Sequence, residues 1–324
     1  MSTSNPGDLK FKYLQQADLR RLEQLLFAPR RVIEGRFSGQ YATRQRGQSI
    51  EFRDYRSYFP GDEITAIDWK VYGRTDRLYI KLFEHQSELT VHLILDASAS
   101  MAYQGISPDT RHPSDSKFDY ACRLAAAIGF LIVRQHDRFS FSLAQAPLAA
   151  SKTTRLGTSG PTKHFPPGGT LRHLAGVLEA MEQTRPRGNS GLATVIHELA
   201  RRGRRRELAV IFSDLLDDSD AIAEALATRV HHGGEAVVIH VLHPDEVSLP
   251  NVEHGIFVDS ETGGRLRLDV QEIRESYAAR MQEFLKGWEQ RCARMGVDYF
   301  RAESSEPYWQ TLERYLLGRA AIGR

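Results

Sequence analysis

From Leu89 to the C-terminus, short apolar and β-branched runs alternate with segments whose apolar residues recur at three- and four-residue steps. The runs Leu89–Leu95, Arg138–Leu143, Glu207–Phe212, Glu235–Leu242 and Val297–Ala302 have strand length and composition. Between them, Phe118, Leu124, Ile128, Leu131 and Ile132 fall on one helical face. So do Leu171, Leu174, Leu178 and Met181, then Val195, Ile196 and Leu199, and then Ile273, Tyr277, Met281, Phe284 and Trp288. This alternation predicts an α/β domain over 89–324, with a doubly wound, mostly parallel sheet and crossover helices. Ser116 followed by Asp119 has the form of a capping box, and Gly203 and Gly233 stand where helices end. Residues Gly255–Leu268 read as a β-hairpin inserted into the domain, with Glu261-Thr262-Gly263-Gly264 as its turn.

Upstream the texture changes. Gln16–Phe27 reads as a short amphipathic helix, Arg36–Arg46 is polar, and Ser49–Tyr58 and Leu78–Phe83 read as extended. Residues 1–88 are therefore expected to form a small α+β module of their own.

Composition narrows the class without selecting it. The chain has 324 residues, enough for one large domain or two ordinary ones, and its formal net charge of +2 favours no class of partner. Met1–Lys12 is polar and unlike a signal peptide, and the longest apolar stretch, Ala125–Val133, is far short of the ~20 residues of a membrane span. A cytoplasmic protein is the expectation, with Cys122 and Cys292 as buried thiols. The run Arg201-Arg202-Gly203-Arg204-Arg205-Arg206 carries no interleaved aromatics, so it reads as a solvated turn at a helix C-terminus and no nucleic acid is expected. His231-His232 lacks zinc-ligand spacing and reads as a helix end.

The chemistry concentrates in Val91–Met101. An apolar strand ends in Asp96, and Ser98 and Ser100 follow at alternate positions. In open α/β sheets ligands bind beyond the carboxyl ends of the strands, and alternate residues of an extended segment project to one side. One carboxylate and two hydroxyls form an oxygen-only cup suited to a hard cation such as Mg²⁺ or Mn²⁺. Phe165-Pro166-Pro167-Gly168-Gly169-Thr170 offers a further hydroxyl before a helix, and Val210–Asp214 ends a second buried strand in a carboxylate.

Taken together, Asp96-x-Ser98-x-Ser100, Thr170 and Asp214 resemble the metal-ion-dependent adhesion site of von Willebrand factor A-like domains. That resemblance implies a divalent ion held by Asp96, Ser98, Ser100 and Thr170, with Asp214 acting through water. It also implies one coordination position left for a partner's Asp or Glu. Glu51-Phe52-x-x-Tyr55-Arg56-x-Tyr58-x-Pro60-Gly61-Asp62, then Ile67-Asp68-Trp69-Lys70, ahead of the Asp96 loop, resemble the bacterial domain-of-unknown-function family 58. The resemblance implies a partner among MoxR-type AAA+ ATPases and a chaperone-like role in the assembly or maturation of client proteins.

An enzyme is the competing expectation. Ser98 stands where haloacid-dehalogenase-type hydrolases carry a second aspartate, and the chain has neither a nucleophile elbow nor a Gly-x-x-x-x-Gly-Lys phosphate loop. A binding module is expected, with Mg²⁺-dependent phosphoester hydrolysis as the alternative.

Overall fold

The computed structural model describes residues 11–22, 25, 27, 50–57, 69–85, 89–106, 116–146, 163–202, 207–260 and 263–322. In chain order the elements are α1 (Gln16–Leu22), β1 (Ile50–Ser57), α2 (Trp69–Thr75), β2 (Tyr79–His85), β3 (Thr90–Asp96), a 3₁₀ turn (Ala99–Ala102), α3 (Lys117–Arg134), β4 (Arg138–Ala144), β5 (Lys163–Gly168), α4 (Leu171–Gln183) and α5 (Leu192–Arg202). They continue with β6 (Leu208–Ser213), α6 (Ser219–His231), β7 (Glu235–Leu242), α7 (Pro244–Val247), β8 (His254–Val258), β9 (Arg265–Asp269), α8 (Val270–Met295), β10 (Asp298–Glu303) and α9 (Tyr308–Ile322). The turn Pro60-Gly61-Asp62, the pair Ile67-Asp68, the stretch Arg36–Arg46, Gly203–Arg206 and Glu261-Thr262 lie outside the described residues.

Six strands form one sheet in the order β10-β7-β6-β3-β4-β5. All neighbours are parallel except β4 and β5, which run antiparallel. The five parallel strands coincide, within a residue at each end, with the apolar runs read from the sequence. β5 was not among them.

Alternation along each strand sorts side chains onto the two faces. Val91, Leu93 and Leu95 of β3, Val210 and Phe212 of β6, and Val237, Ile239 and Val241 of β7 join one core, under α3, α4 and α9. Ile94, Ala209, Ile211, Ala236 and Val238 point the other way, towards Val195 and Ile196 of α5, Leu226 of α6 and Trp288 of α8. Each large apolar side chain fully buried in this way contributes about 1.5–3 kcal/mol. Helix ends follow local chemistry: Ser116 and Asp119 make the expected reciprocal capping box on α3, and Gly233 adopts a φ of 84° just past α6.

The chain divides into two compact units, Met1–Phe37 with Leu89–Arg324, and Ser38–Glu88. In the larger unit Tyr13, Leu14 and Leu22 join the core beneath α3 and α9, and the Arg21 guanidinium lies 4.9 Å from the Trp309 ring. The Tyr13 hydroxyl and Lys12 ammonium both donate to Asp119 Oδ1 at 2.6 Å. In the smaller unit β1 and β2 pair antiparallel from Ile50↔His85 to Ser57↔Tyr79, and Trp69 meets Tyr72 edge-on at 6.0 Å. Among the described residues no helix is long and apolar enough to cross a membrane.

Asp119 also ties the N-terminal segment to pH. Burial raises its carboxyl, but Lys12, Tyr13 and Ser116 outweigh that and hold it below the usual carboxylate value. A lowered folded pKa gives stability that is present above the unfolded value, ~3.9, and lost as pH falls through the folded one. Asp119→Asn should therefore cost about 1–2 kcal/mol at pH 7. In thermal melts the gap to wild type should close on acidification; a gap that is constant with pH would show that the charge contributes nothing.

Candidate functional site

β3 and β6 are neighbours in the parallel sheet, so their C-terminal residues Asp96 and Asp214 emerge at one edge. Both carboxylates are 1% exposed. Asp96 Oδ1 accepts the backbone N–H of Ser98 at 3.0 Å. Its Oδ2 accepts the hydroxyls of Ser213 at 2.6 Å and Ser190 at 3.1 Å. Ser98 and Ser100 hydroxyls lie 3.1 Å apart, and Ser100 also hydrogen-bonds Asp214, so a run of hydroxyls links the two acids. Ser100 and Ser190 are partly exposed, which leaves the cluster open on their side.

The surrounding backbone is held in place by specific contacts. The Gln145 side-chain amide donates to the carbonyls of Ala97, Arg185 and Arg187, binding the Asp96 loop to the segment that precedes α5. Gly191 approaches Gln145 so closely that a Cβ there would lie 3.2 Å from its carbonyl carbon, and this closeness brings Ser190 up to Asp96. Ser190 also accepts the N–H of Leu192 at the start of α5. Leu215, fully buried just after Asp214, has a φ of 55°, a left-handed conformation uncommon for a side chain of its bulk. His240 is buried and its pKa pushed down to about 4, so the ring is neutral; it hydrogen-bonds the Asp214 carbonyl at 2.8 Å and Tyr299 at 2.6 Å. A carbonyl only accepts, so Nε2 carries the proton and Nδ1 receives the Tyr299 hydroxyl.

Lys117, the first residue of α3, has a fully buried side chain whose ammonium donates to Asp214 Oδ2 at 2.7 Å and Glu246 Oε1 at 2.6 Å. The electrostatics of the two aspartates diverge as a result. Burial, reinforced by the charge on Asp214, pushes Asp96 up to about 6 despite its serine donors. Burial also raises Asp214, but Lys117 more than reverses this and holds it below the ordinary carboxylate value.

Four of the five residues expected from the sequence thus converge: Asp96, Ser98, Ser100 and Asp214. Thr170 does not join them. β5 runs antiparallel to β4, with Gly168 opposite Phe139, whereas Asp96 stands opposite Ala144. The chain after β5 therefore leaves at the far end of the sheet, about 20 Å away at ~3.3 Å per residue. There Thr170 caps α4, accepting the His173 N–H at 3.1 Å. Ser190 supplies a hydroxyl at the Asp96 edge instead. A serine just ahead of a helical pattern is visible in the sequence, but nothing local places it at the Asp96 edge, because Ser190 precedes Gly191 at the start of α5 and reaches Asp96 only through the fold.

The donor set fits a small hard cation. Hydroxyl and carboxylate oxygens surround Asp96, whose carboxyl is raised by burial and then by the charge on Asp214, and among the described residues no cation pairs with it. Among the described residues there is no group of three His, Cys, Asp or Glu, so hydroxyls form the larger part of the set.

The family model described as "Protein of unknown function DUF58" matches residues 54–285. An uncharacterized protein of Mycobacterium tuberculosis is 30% identical over 258 residues, which cover 79% of this chain and 74% of the relative. A second, from Mycobacterium avium, is 35% identical over 113 residues, or 33% of this chain and 65% of the relative. Among solved structures, the conserved hypothetical protein BatB from Bacteroides thetaiotaomicron aligns with a TM-score of 0.43 and 16% identity, covering 72% of this chain and 99% of that one. An aerotolerance-related membrane protein from Bacteroides fragilis aligns at 0.41 and 18%, covering 71% and 99%. With residues 54–285 matched by the family model, the chain belongs to the DUF58 family of proteins of unknown function.

Proposed function

We propose that this chain is a von Willebrand factor A-like module that binds a partner protein through a divalent cation, Mg²⁺ or Mn²⁺, and is not itself an enzyme. The observation that carries this reading is the convergence of Asp96, Ser98, Ser100, Ser190 and Asp214 at one sheet edge. Asp96 would be the direct carboxylate ligand, with Ser98, Ser100 and Ser190 as neutral donors. Asp214, already paired with Lys117, would act on the ion through water. The ion would supply an acceptor position for an Asp or Glu of the partner. By the family resemblance, that partner is a MoxR-type AAA+ ATPase, acting with this chain on client proteins.

Calorimetric titration to millimolar Mg²⁺ and Mn²⁺ tests the site. Wild type should bind one ion, and Asp96→Ala none. Ser190→Ala should weaken binding, whereas Thr170→Ala should leave it unchanged and cost only about 1 kcal/mol of stability, through the lost cap. Equal affinity in wild type and Asp96→Ala would remove the site. For function, a purified MoxR-type ATPase should be retained on the immobilised chain with Mg²⁺ and released by chelator. Mg²⁺-dependent cleavage of a generic phosphoester, lost in Asp96→Asn, would replace this reading with a hydrolase.

A further inference from the structure

β8 and β9 form a two-stranded sheet on their own, paired Ile256↔Arg267, Phe257↔Leu266 and Val258↔Arg265. Directly opposite residues share a face, so alternation puts His254, Ile256, Val258, Arg265, Arg267 and Asp269 on one side of the hairpin, with Asp269 at its base 3.8 Å from His254 and capping α8. That side faces outward; the other, with Gly255, Phe257, Leu266 and Leu268, meets α8 at its base, where a Cβ on Gly255 would lie 3.3 Å from Val270, while Leu266 nearer the turn is 58% exposed. On the outward side Ile256 is 64% and Val258 56% exposed, and both arginines are exposed. Branched aliphatic side chains are costly to leave in water side by side, and here they are interleaved with cations. No acid among the described residues pairs with either guanidinium.

The hairpin belongs to the same end of the larger unit as the oxygen cluster. β7 is parallel to β6 and β6 to β3, so the chain leaving β7 emerges at the Asp96 edge. It enters α7, whose Glu246 meets the Lys117 ammonium, and the Tyr277 hydroxyl donates to the Glu246 carbonyl at 2.8 Å. Tyr277 lies about 10 Å along α8 from Val270, at 1.5 Å per residue, and Val270 directly follows the hairpin. Two further apolar side chains flank the cluster: Leu216, 49% exposed beside Asp214, and Ile106, 61% exposed, whose N–H donates to Asp245 of α7.

We propose that the outward face of the β8–β9 hairpin binds an extended, acidic segment of a partner protein, with carboxylates alternating with apolar side chains. Such a segment places its carboxylates on Arg265 and Arg267 and its apolar side chains on Ile256 and Val258, repeating the period-two pattern of the hairpin itself. The two-stranded sheet also offers an edge for strand addition. Four side chains cover far less than the ~800 Å² per partner of a stable interface, so this contact alone is weak. Its use is as the second foot of the partner that engages the ion, where linkage raises the effective concentration of each contact for the other. The hairpin face stands on its own geometry; its pairing with the ion rests on the function proposed above.

The test is a titration of the full, isotope-labelled chain with a short synthetic peptide of alternating glutamate and valine, followed by amide chemical shifts. The expected result is movement of β8 and β9 amides both with Mg²⁺ and in chelator, and none with an alternating lysine–valine peptide. Arg265→Glu with Arg267→Glu should weaken binding about tenfold, since two exposed attractions become repulsions. Both positions are exposed, and an unchanged melting temperature would verify that the variant folds. Equal binding by that variant, or no shift in the hairpin, overturns the proposal. A Mg²⁺-dependent gain in affinity that Asp96→Ala abolishes supports the two-footed arrangement. Hairpin binding with no such gain overturns the arrangement and leaves the hairpin site standing.

Discussion

Replacing Lys117 with methionine is expected to lower the unfolding free energy by about 3–5 kcal/mol, the usual cost of removing one partner from a buried ion pair. Methionine keeps most of the volume and leaves Asp214 and Glu246 facing one another without the ammonium that lies 2.7 and 2.6 Å from them. Glu246 is partly exposed and can turn to water; Asp214 cannot. In thermal melts the loss corresponds to roughly 10 °C for a domain of this size. Adding Asp214→Asn to the methionine variant removes the stranded charge and should restore a substantial part of the loss. A melting point within about 2 °C of wild type would mean that the ammonium is not what neutralises Asp214. A loss that Asp214→Asn leaves undiminished would point to packing instead.

Asp96→Asn should have the opposite sign in cation-free protein. Asp96 has its pKa raised to about 6, mainly by burial and then by the charge on Asp214. A raised folded pKa gives stability that is complete below the unfolded value and lost as pH rises through the folded one. The wild-type protein in chelator should therefore weaken between about pH 4 and pH 6, while the asparagine variant, which cannot ionise there, does not. Above that window Asp96→Asn should melt higher than wild type. With Mg²⁺ the order reverses: at a hundredfold excess over its dissociation constant, an ion binding only the folded chain adds about 2.7 kcal/mol. The variant should gain none of it. Protons compete for the same oxygen, so wild-type cation affinity should fall about tenfold per pH unit well below 6. An asparagine variant less stable than wild type in chelator at neutral pH would show that the serine donors outweigh burial and repulsion.

What the sequence displayed, and what it concealed, follow from the same physics. β3, β6 and β7 are buried on both faces, so each is a near-continuous apolar run that stands out from its neighbours, whereas β4 alternates phenylalanine with serine and β10, at the sheet's edge, keeps Arg301 exposed. Asp96 and Asp214 were legible because each stands at the end of an apolar strand, and Ser98 and Ser100 because they follow Asp96 so closely; the 3₁₀ turn that holds Ser100, in place of an extended segment, was not legible. β5 was hidden: Lys163–Gly168 contains Pro166 and Pro167 and reads as a turn. That omission displaced Thr170, since a residue following an antiparallel strand arrives at the opposite end of the sheet. Lys117 carried a faint signal of its own. A lysine in the first turn of a helix opposes the helix dipole, and such a placement calls for a compensating acid. Which acids compensate it depends on contacts 97 and 129 residues away, which no local pattern encodes.

The two prolines of β5 have a consequence beyond the site. β5 is the outermost strand at one side of the six-stranded sheet, where unpaired backbone groups would recruit a strand from another molecule. Pro166 and Pro167 have no N–H to offer, and Lys163 at the start of the strand brings a charge that a stacked copy would have to face. The same residues that obscured β5 as a strand disfavour the addition of a further strand along this flank, and the sheet ends as a finished border.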